Sequence, residues 1–261
     1  MTDIEPGWKN YEDFAHGIGT NRLPALDLTG TSLHVTADDA TGPSLVLDFL
    51  DATTVRWSRD GAAAATDPYD AVAVGEHAVF VDLPLTSRER EALTIIHSTR
   101  TRRALVVEHA IAAEAVAGVP QVGQQFWPAS TGDGAEPGAP VPAPTRELIG
   151  RRFLQRYSPS HLYEHVYLSS ERYAWQCLEG VQRGHGDVDL SSTYKFDDDL
   201  YVFCFREFRI PVASLFLYDM RALTSTGRFL GLTGAGAAEH TRSGANIITL
   251  ASVTYPDVQP V

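Results

Sequence analysis

Apolar and polar residues alternate along most of this chain in short runs, a period of two that predicts β-strands buried on one face. In the first half the pattern predicts strands over 30–37, 44–50, 53–58, 69–74, 77–83, 92–98 and 102–108. Turn formers such as Thr41-Gly42-Pro43, Arg59-Asp60-Gly61 and Gly75-Glu76 separate them. From Thr145 the pattern resumes over 151–157, 162–168, 171–177, 189–196, 199–208, 211–218 and 224–231. Gly234 to Gly244 reads as a loop, and 245–254 as a last strand. Short strands joined by short turns, with hardly a helix-length segment between them, predict an antiparallel barrel or sandwich.

Three stretches depart from the pattern. Trp8, Tyr11, Phe14 and Ile18 fall on one face of a helix, with Gly17 and Gly19 near its stop. This short helix either covers something or simply packs on a domain surface. Residues 109–118 are alanine-rich and read as a second short helix. Residues 119–145 are rich in proline and glycine and read as an extended linker, with Gln124-Gln125-Phe126-Trp127 docking on a domain.

The two strand regions look like copies. Each opens on an apolar residue, one more residue and a glycine, Leu28-Thr29-Gly30 and Leu148-Ile149-Gly150. Each reaches a tryptophan, Trp57 and Trp175, at nearly the same distance, and then a tyrosine, Tyr69 and Tyr194. Next comes a strand, His77 to Asp82 set against Leu200 to Phe205, and two further strands. The expectation is all-β: two tandem lipocalin-like antiparallel β-barrel repeats of about seven strands, each able to hold one ligand. The divisions are a helical segment at 1–24, a first barrel at 25–118, a linker at 119–145 and a second barrel at 146–261.

Composition narrows the partners. A hydrophobic fraction of 44% suits a globular chain with a sizeable core. Net charge is −12, from 33 acidic and 21 basic side chains, which argues against nucleic acid and against an anionic membrane. Only two cysteines, Cys177 and Cys204, are present, each inside an expected strand, so they read as buried thiols in a reducing compartment. No apolar run approaches a membrane span, and the opening residues lack the basic and apolar regions of a signal peptide. The expected setting is cytoplasmic. The first repeat, with an apolar interior, reads as structural, as a degenerate copy or as the surface of a homodimer.

Candidate chemistry gathers in residues 146–232 of the second repeat, which hold seven of the ten tyrosines. Alternation puts Phe153, Gln155 and Tyr157 on one face, then Tyr163, His165 and Tyr167, then Tyr201, Phe203, Phe205 and Glu207. Inward, these make either a filled aromatic core or a pocket that is apolar with a few convergent polar groups. A glutamate there has its pKa raised by desolvation, which suits acid or base work. Tyr173, Trp175 and Arg183 complete the candidate substrate-binding set. His185-Gly186-Asp187-Val188-Asp189 has a metal-like spacing but lacks a further ligand and reads as turn chemistry. No phosphate loop, nucleophile elbow or dinucleotide fingerprint occurs, so neither a metal nor a cofactor is expected.

Several stretches resemble the family of molybdenum cofactor biosynthesis protein F (MoaF). They include Arg156-Tyr157-Ser158-Pro159, Leu162 to Leu168, Tyr173-Ala174-Trp175-Gln176-Cys177-Leu178, Gly184 to Asp189, Arg206-Glu207 and Thr226-Gly227-Arg228. The family commonly has a histidine where this chain has Gln176. It is lipocalin-like and distantly similar to phenolic acid decarboxylases, cofactor-free barrels that use tyrosines, an arginine and a glutamate. That resemblance implies roles for Tyr157 and Glu207, puts Gln155 at the place of a second tyrosine, and leaves Arg183 as the nearest arginine. The expected function is binding of a small aromatic or unsaturated molecule, with a lyase, isomerase or cyclase step. In it Glu207 acts as acid or base, Tyr157 and Tyr163 orient the substrate, and His165 or Arg183 steadies negative charge. The alternative that the family name implies is a non-catalytic accessory or pterin carrier. A third reading is an interaction protein with filled barrels.

Overall fold

The computed structural model describes residues 8–258 and 260; the opening stretch read above for a leader lies outside them, apart from Trp8 onward. The chain is all-β and forms two tandem antiparallel barrels, one nearly closed and one closed. The first compact unit takes Leu23–Ala110 and Gly123–Ala143. The second takes the described residues up to Arg22, then Ile111–Val122, then the chain from Pro144 onward.

The first barrel runs β1 (Ser32–Ala37), β2 (Ser44–Phe49), β3 (Thr54–Arg59), β4 (Ala65–Pro68), β5 (Asp70–Val74), β6 (Ala78–Pro84), β7 (Glu91–Ser98), β8 (Arg103–Ile111) and β9 (Val122–Thr131). β4 and β5 do not pair with each other, and the sheet order runs from β4 through β1 and β9 to β5. A two-residue strand, β10 (Ala143–Pro144), follows. The second barrel is β11 (Arg151–Ser158), β12 (His161–Tyr167), β13 (Arg172–Glu179), β14 (Gly186–Asp197), β15 (Leu200–Arg206), β16 (Val212–Asp219), β17 (Thr224–Leu232) and β18 (Ala238–Ser252). β14 is long enough to pair with both β13 and β15, which closes the ring. Eight strands leave an interior that side chains just fill, or that holds one small ligand.

The structure departs from the sequence expectation at several elements. The first barrel has nine strands and the second ring eight, rather than seven, and β9 and β18 both return to the first strand of their barrel. β9 lies inside the stretch read as linker. Its Pro128 and the surrounding prolines and glycines concealed a strand that gives the barrel core only Ala129 and the partly buried Trp127. The alanine-rich stretch from His109 forms no helix; β8 runs on to Ile111, and only a bridge between Val116 and Val119 follows. Much of the loop read over 234–244 belongs to β18, whose partner β17 supplies a ladder reaching Ala238.

The duplication is visible in the ladders. Leu33 pairs with Leu47, and Leu47 with Trp57; in the second barrel Phe153 pairs with His165, and His165 with Trp175. The tryptophans then face Ala65 and Asp187. Counting on from these, Ala71 opposite Val81 corresponds to Thr193 opposite Phe203. Two details of the sequence comparison therefore change. The counterpart of Tyr69 is Ser191 rather than Tyr194, and that of Phe203 is Val81 rather than Phe80. In both, the inward face of the pleat decides.

The cores of the two barrels differ in kind. The first is mostly aliphatic: Val35, Leu45, Leu47, Val81, Leu83, Leu85, Leu93 and Ile95 are all buried there. The second is aromatic, with Phe153, Tyr157, Tyr167, Tyr173, Phe203 and Phe216 among its buried rings. Burying each such side chain contributes roughly 1.5–3 kcal/mol. The edge-to-face contacts, such as Phe153–Tyr167 and Tyr173–Phe203, fix the relative orientation of the rings.

Candidate functional site

One end of the second barrel is covered by α1 (Tyr11–Ala15) and the residues that follow it. Five residues cannot hold a helix in water by themselves, so docking supports it. Asn10 N donates to the Asp13 carboxylate at 3.0 Å, and the Tyr11 hydroxyl donates to Thr241 Oγ1 at 2.6 Å. The Glu12 carboxylate accepts from Gly234 N. After the helix Gly17 takes a left-handed backbone, and a Cβ there would stand 3.0 Å from His161 Cε1. The turn drops Ile18 onto the barrel, where it is buried beside Phe14.

Beneath α1 lies a small cavity. Phe14 and Ile18 form its lid, and Tyr157, Tyr163, His165, Tyr173, Trp175, Gln182, Phe205, Glu207 and Phe229 its walls. About 30 Å³ is open to the centre of a water-sized sphere, room for roughly two waters. Seven of the residues singled out from the sequence converge here: Glu207, Tyr157, His165, Tyr163, Tyr173, Trp175 and Phe205.

Four do not. Gln155 is buried away from the cavity, where its side-chain oxygen accepts from Ser225 Oγ at 3.2 Å. Phe203 fills the core between Tyr167, Tyr173 and Tyr218. Tyr201 donates to the Glu147 carboxylate at 2.6 Å. Arg183 is exposed on the turn between Gly180 and Gly184; its neighbour Gln182 takes the inward place instead and accepts from the Tyr163 hydroxyl at 2.8 Å. A turn has no alternation, so the pattern could not tell which of the two residues points inward.

The polar groups of the site are buried. Glu207 is 6% exposed, and its Oε2 has no hydrogen-bond partner. Burial first, and then the nearby Asp189 and Asp187 carboxylates, push its pKa well above the usual carboxylate range, which favours the neutral carboxyl. Asp189 is raised to about 6 by burial, against the stabilising bonds it accepts. Those come from Trp175 Nε1 at 2.8 Å and Phe208 N at 3.1 Å. His165 is pushed down to about 3 by burial, only partly offset by Glu164 on the outer face of the barrel. It is therefore neutral, and its Nδ1 has no partner. Burial raises the Tyr157 and Tyr163 hydroxyls above their ordinary range, so both act as proton-holding hydrogen-bond donors. Of the residues that sequence reasoning missed, Asp189 left one signal. An aspartate follows the tryptophan in each repeat, and Trp57 Nε1 likewise donates to Asp67 at 2.9 Å.

Both cysteines are free and buried, with Cys204 raised to about 12 by burial. Among the described residues no three His, Cys, Asp or Glu side chains converge as a metal site would need, and no helix is long and apolar enough to cross a membrane. The His185–Asp189 stretch spreads out instead. Asp187 binds Arg209 at 2.6 Å, Asp189 binds Trp175, and His185 packs on Trp8.

Comparison with known proteins agrees with the architecture. A crystal structure described as a "putative beta-lactamase" from Burkholderia vietnamiensis aligns at 14% identity with a TM-score of 0.34, over 40% of this chain and 95% of that one; so slight a likeness bears on neither fold nor chemistry. Protein MoaF of Klebsiella aerogenes is 32% identical over 194 residues, covering 71% of this chain and 72% of that protein. Residues 6–113 match the MoaF N-terminal domain and residues 142–253 the MoaF C-terminal domain. The chain belongs to the MoaF family.

Proposed function

We propose that the second barrel binds a small aromatic or unsaturated organic molecule and carries out a cofactor-free proton transfer on it, of lyase, isomerase or cyclase type. One observation carries the reading. The ladders match Gln155, Tyr163 and His165 with Val35, Leu45 and Leu47, and counting on past the ends of β15 and β6 matches Glu207 with Leu85, all four buried and apolar in the first barrel. The first barrel therefore builds the same scaffold without these polar groups, so the fold does not need them. A buried polar group left unpaired costs about 1–3 kcal/mol, and Glu207 and His165 each carry such an atom in or beside the cavity.

In this reading Glu207 moves one proton between two positions of the bound ligand, taking it as a carboxylate and giving it back as a carboxylic acid. The Tyr157 hydroxyl donates to a carbonyl or phenolate oxygen, and neutral His165 offers a further ring nitrogen. Tyr163 is held in place by Gln182. The site is buried, which strengthens each of these bonds. A ring-bearing ligand is larger than the space left, so Phe14 and Ile18 must move with α1 for it to enter. The test is a thermal-shift screen of phenolic acids, enones, aromatic amines and pterins, with wild type and Glu207→Gln side by side. A ligand at a hundred times its dissociation constant adds about 2.7 kcal/mol. A hit whose turnover is lost in Glu207→Gln is the expected result; full turnover by that variant removes Glu207 from the mechanism.

A second reading follows from the family alone. The MoaF name links such proteins to molybdenum cofactor biosynthesis, and an accessory role there would make the cavity a carrier site for a pterin. Its mark would be a shift with pterins only, indifferent to Glu207→Gln.

A further inference from the structure

We propose that the natural occupant of this cavity is a protonated amine, a small ammonium group carried on an aryl or short unsaturated frame. The inference rests on the reading that the cavity is a ligand site, and it names the ligand's charge.

Three features of the walls support it. First, the cavity is a cage of rings: Tyr157, Tyr163, Tyr173, Trp175, Phe205 and Phe229 all line it. Ring faces carry negative potential, and a cation enclosed by several of them is attracted to each. Second, Glu207 lines the same cavity, with one carboxyl oxygen unpartnered and the side chain 6% exposed. Behind Trp175 stands a second buried carboxyl, Asp189, bonded to the indole nitrogen. Third, neither lysine nor arginine is among the lining residues. Arg209, two residues beyond Glu207, is bonded to Asp187 at 2.6 Å and stacked on Trp8 at 4.7 Å from the ring centre. A carboxylate or phosphate ligand would thus meet two acids and no countercharge. An ammonium would meet an aromatic cage and an acid ready to ionise against it.

The proton balance is specific. The groups facing Glu207 are Asp189 and Asp187 of β14, Tyr163 and His165 of β12, Tyr157 of β11 and Tyr173 of β13. At pH 7 the tyrosines hold their protons and His165 holds none beyond its neutral form, while Asp189, at about 6, is already mostly ionised. When an ammonium docks, the Glu207 carboxyl releases its proton to solvent, and the complex contains an ammonium–carboxylate pair. Glu207 thereby changes from an acid in the empty site to a base in the occupied one.

The lid suggests the probe. Phe14 places a benzyl group over the cavity, and benzylamine is a benzyl group carrying an ammonium. Benzylammonium, benzyl alcohol and benzoate offer one frame with three charges. Each would be titrated calorimetrically into the full chain at pH 7, in two buffers of different ionisation enthalpy. The expected result is that benzylammonium binds tightest and releases about one proton per site, read from the buffer dependence. Glu207→Gln and Glu207→Leu should weaken it on the order of 10- to 100-fold and abolish the release, while leaving benzyl alcohol unchanged. The leucine is the residue that the first barrel carries at this place, which guards against misfolding. Benzyl alcohol or benzoate binding as tightly as benzylammonium, or amine binding with no proton released, overturns the amine while leaving the pocket reading in place. Silence from all three probes overturns both.

Discussion

Glu207 lies one residue beyond the end of β15, inside a wall of rings, with a carboxyl oxygen that nothing satisfies. Replacing it by leucine should therefore stabilise the chain by about 1–3 kcal/mol, seen as a higher denaturant midpoint, while ligand binding is lost. Its titration has a definite sign. The folded state holds the proton to a higher pH than the unfolded chain, whose glutamate ionises near 4.5. Glu207 thus leaves stability intact below that value and lowers it progressively as pH rises toward the folded pKa. The gap in melting temperature between Glu207→Gln and wild type should widen from pH 5 upward; a constant gap would contradict the raised pKa. His165 acts in the opposite direction. Its ordinary value of 6.5 falls to about 3, so acidification through that window favours the unfolded chain, which takes up the proton. Both residues were legible in the sequence because every second residue of a strand shares a face: His165 sits on β12, and Glu207 continues the alternation of β15 by one residue. Gln182 was not, since it sits on a turn. Nor was the separation of Gln155 and Phe203 from the cavity, because alternation tells which face a residue takes but not how far along the barrel its ring lies.

At the level of elements, α1 is the part most open to change. It covers the cavity with five residues of helix and is fastened by Tyr11, Glu12 and the turn at Gly17. Tyr11→Phe removes the bond to Thr241, worth about 1 kcal/mol, and should raise hydrogen exchange over 11–18 without altering the strands. Gly17→Ala should do more. A side chain on that left-handed backbone costs about 1–2 kcal/mol, and its Cβ would press on His161. Faster ligand entry with an unchanged barrel is expected; unchanged exchange over α1 would show that the turn does not fasten it. The helix was legible from the spacing of Trp8, Tyr11, Phe14 and Ile18, though only Tyr11–Ala15 is helical and the aromatic face decides the docking. β9 was not legible. Its central Gln124-Gln125-Phe126-Trp127-Pro128 mimics linker composition, and only the ladder to β1 shows what it completes.

Across the whole molecule, one scaffold is built twice with opposite interiors. That makes a reciprocal exchange informative. Leu85→Glu puts the acid of the second barrel into the aliphatic core of the first, where Leu85 is buried among leucines and valines. It should destabilise the chain by at least about 3 kcal/mol, and a small loss would mean that the first interior has room or water that its packing does not suggest. The repeat was legible because its landmarks, a glycine and a tryptophan, recur in order. Its exact register was not, because insertions between β3 and β4 and between β13 and β14 differ in length. The paired tryptophans have an optical consequence. Trp57 donates to Asp67, which also accepts from Thr86 and Ser87 and is held below the ordinary carboxylate range. Trp175 donates to Asp189, which titrates near 6, and one of its faces borders the cavity. The emission of one indole should therefore respond to pH and occupancy while that of the other stays constant, so that the chain contains both a fluorescent gauge of its own cavity and the reference against which to read it.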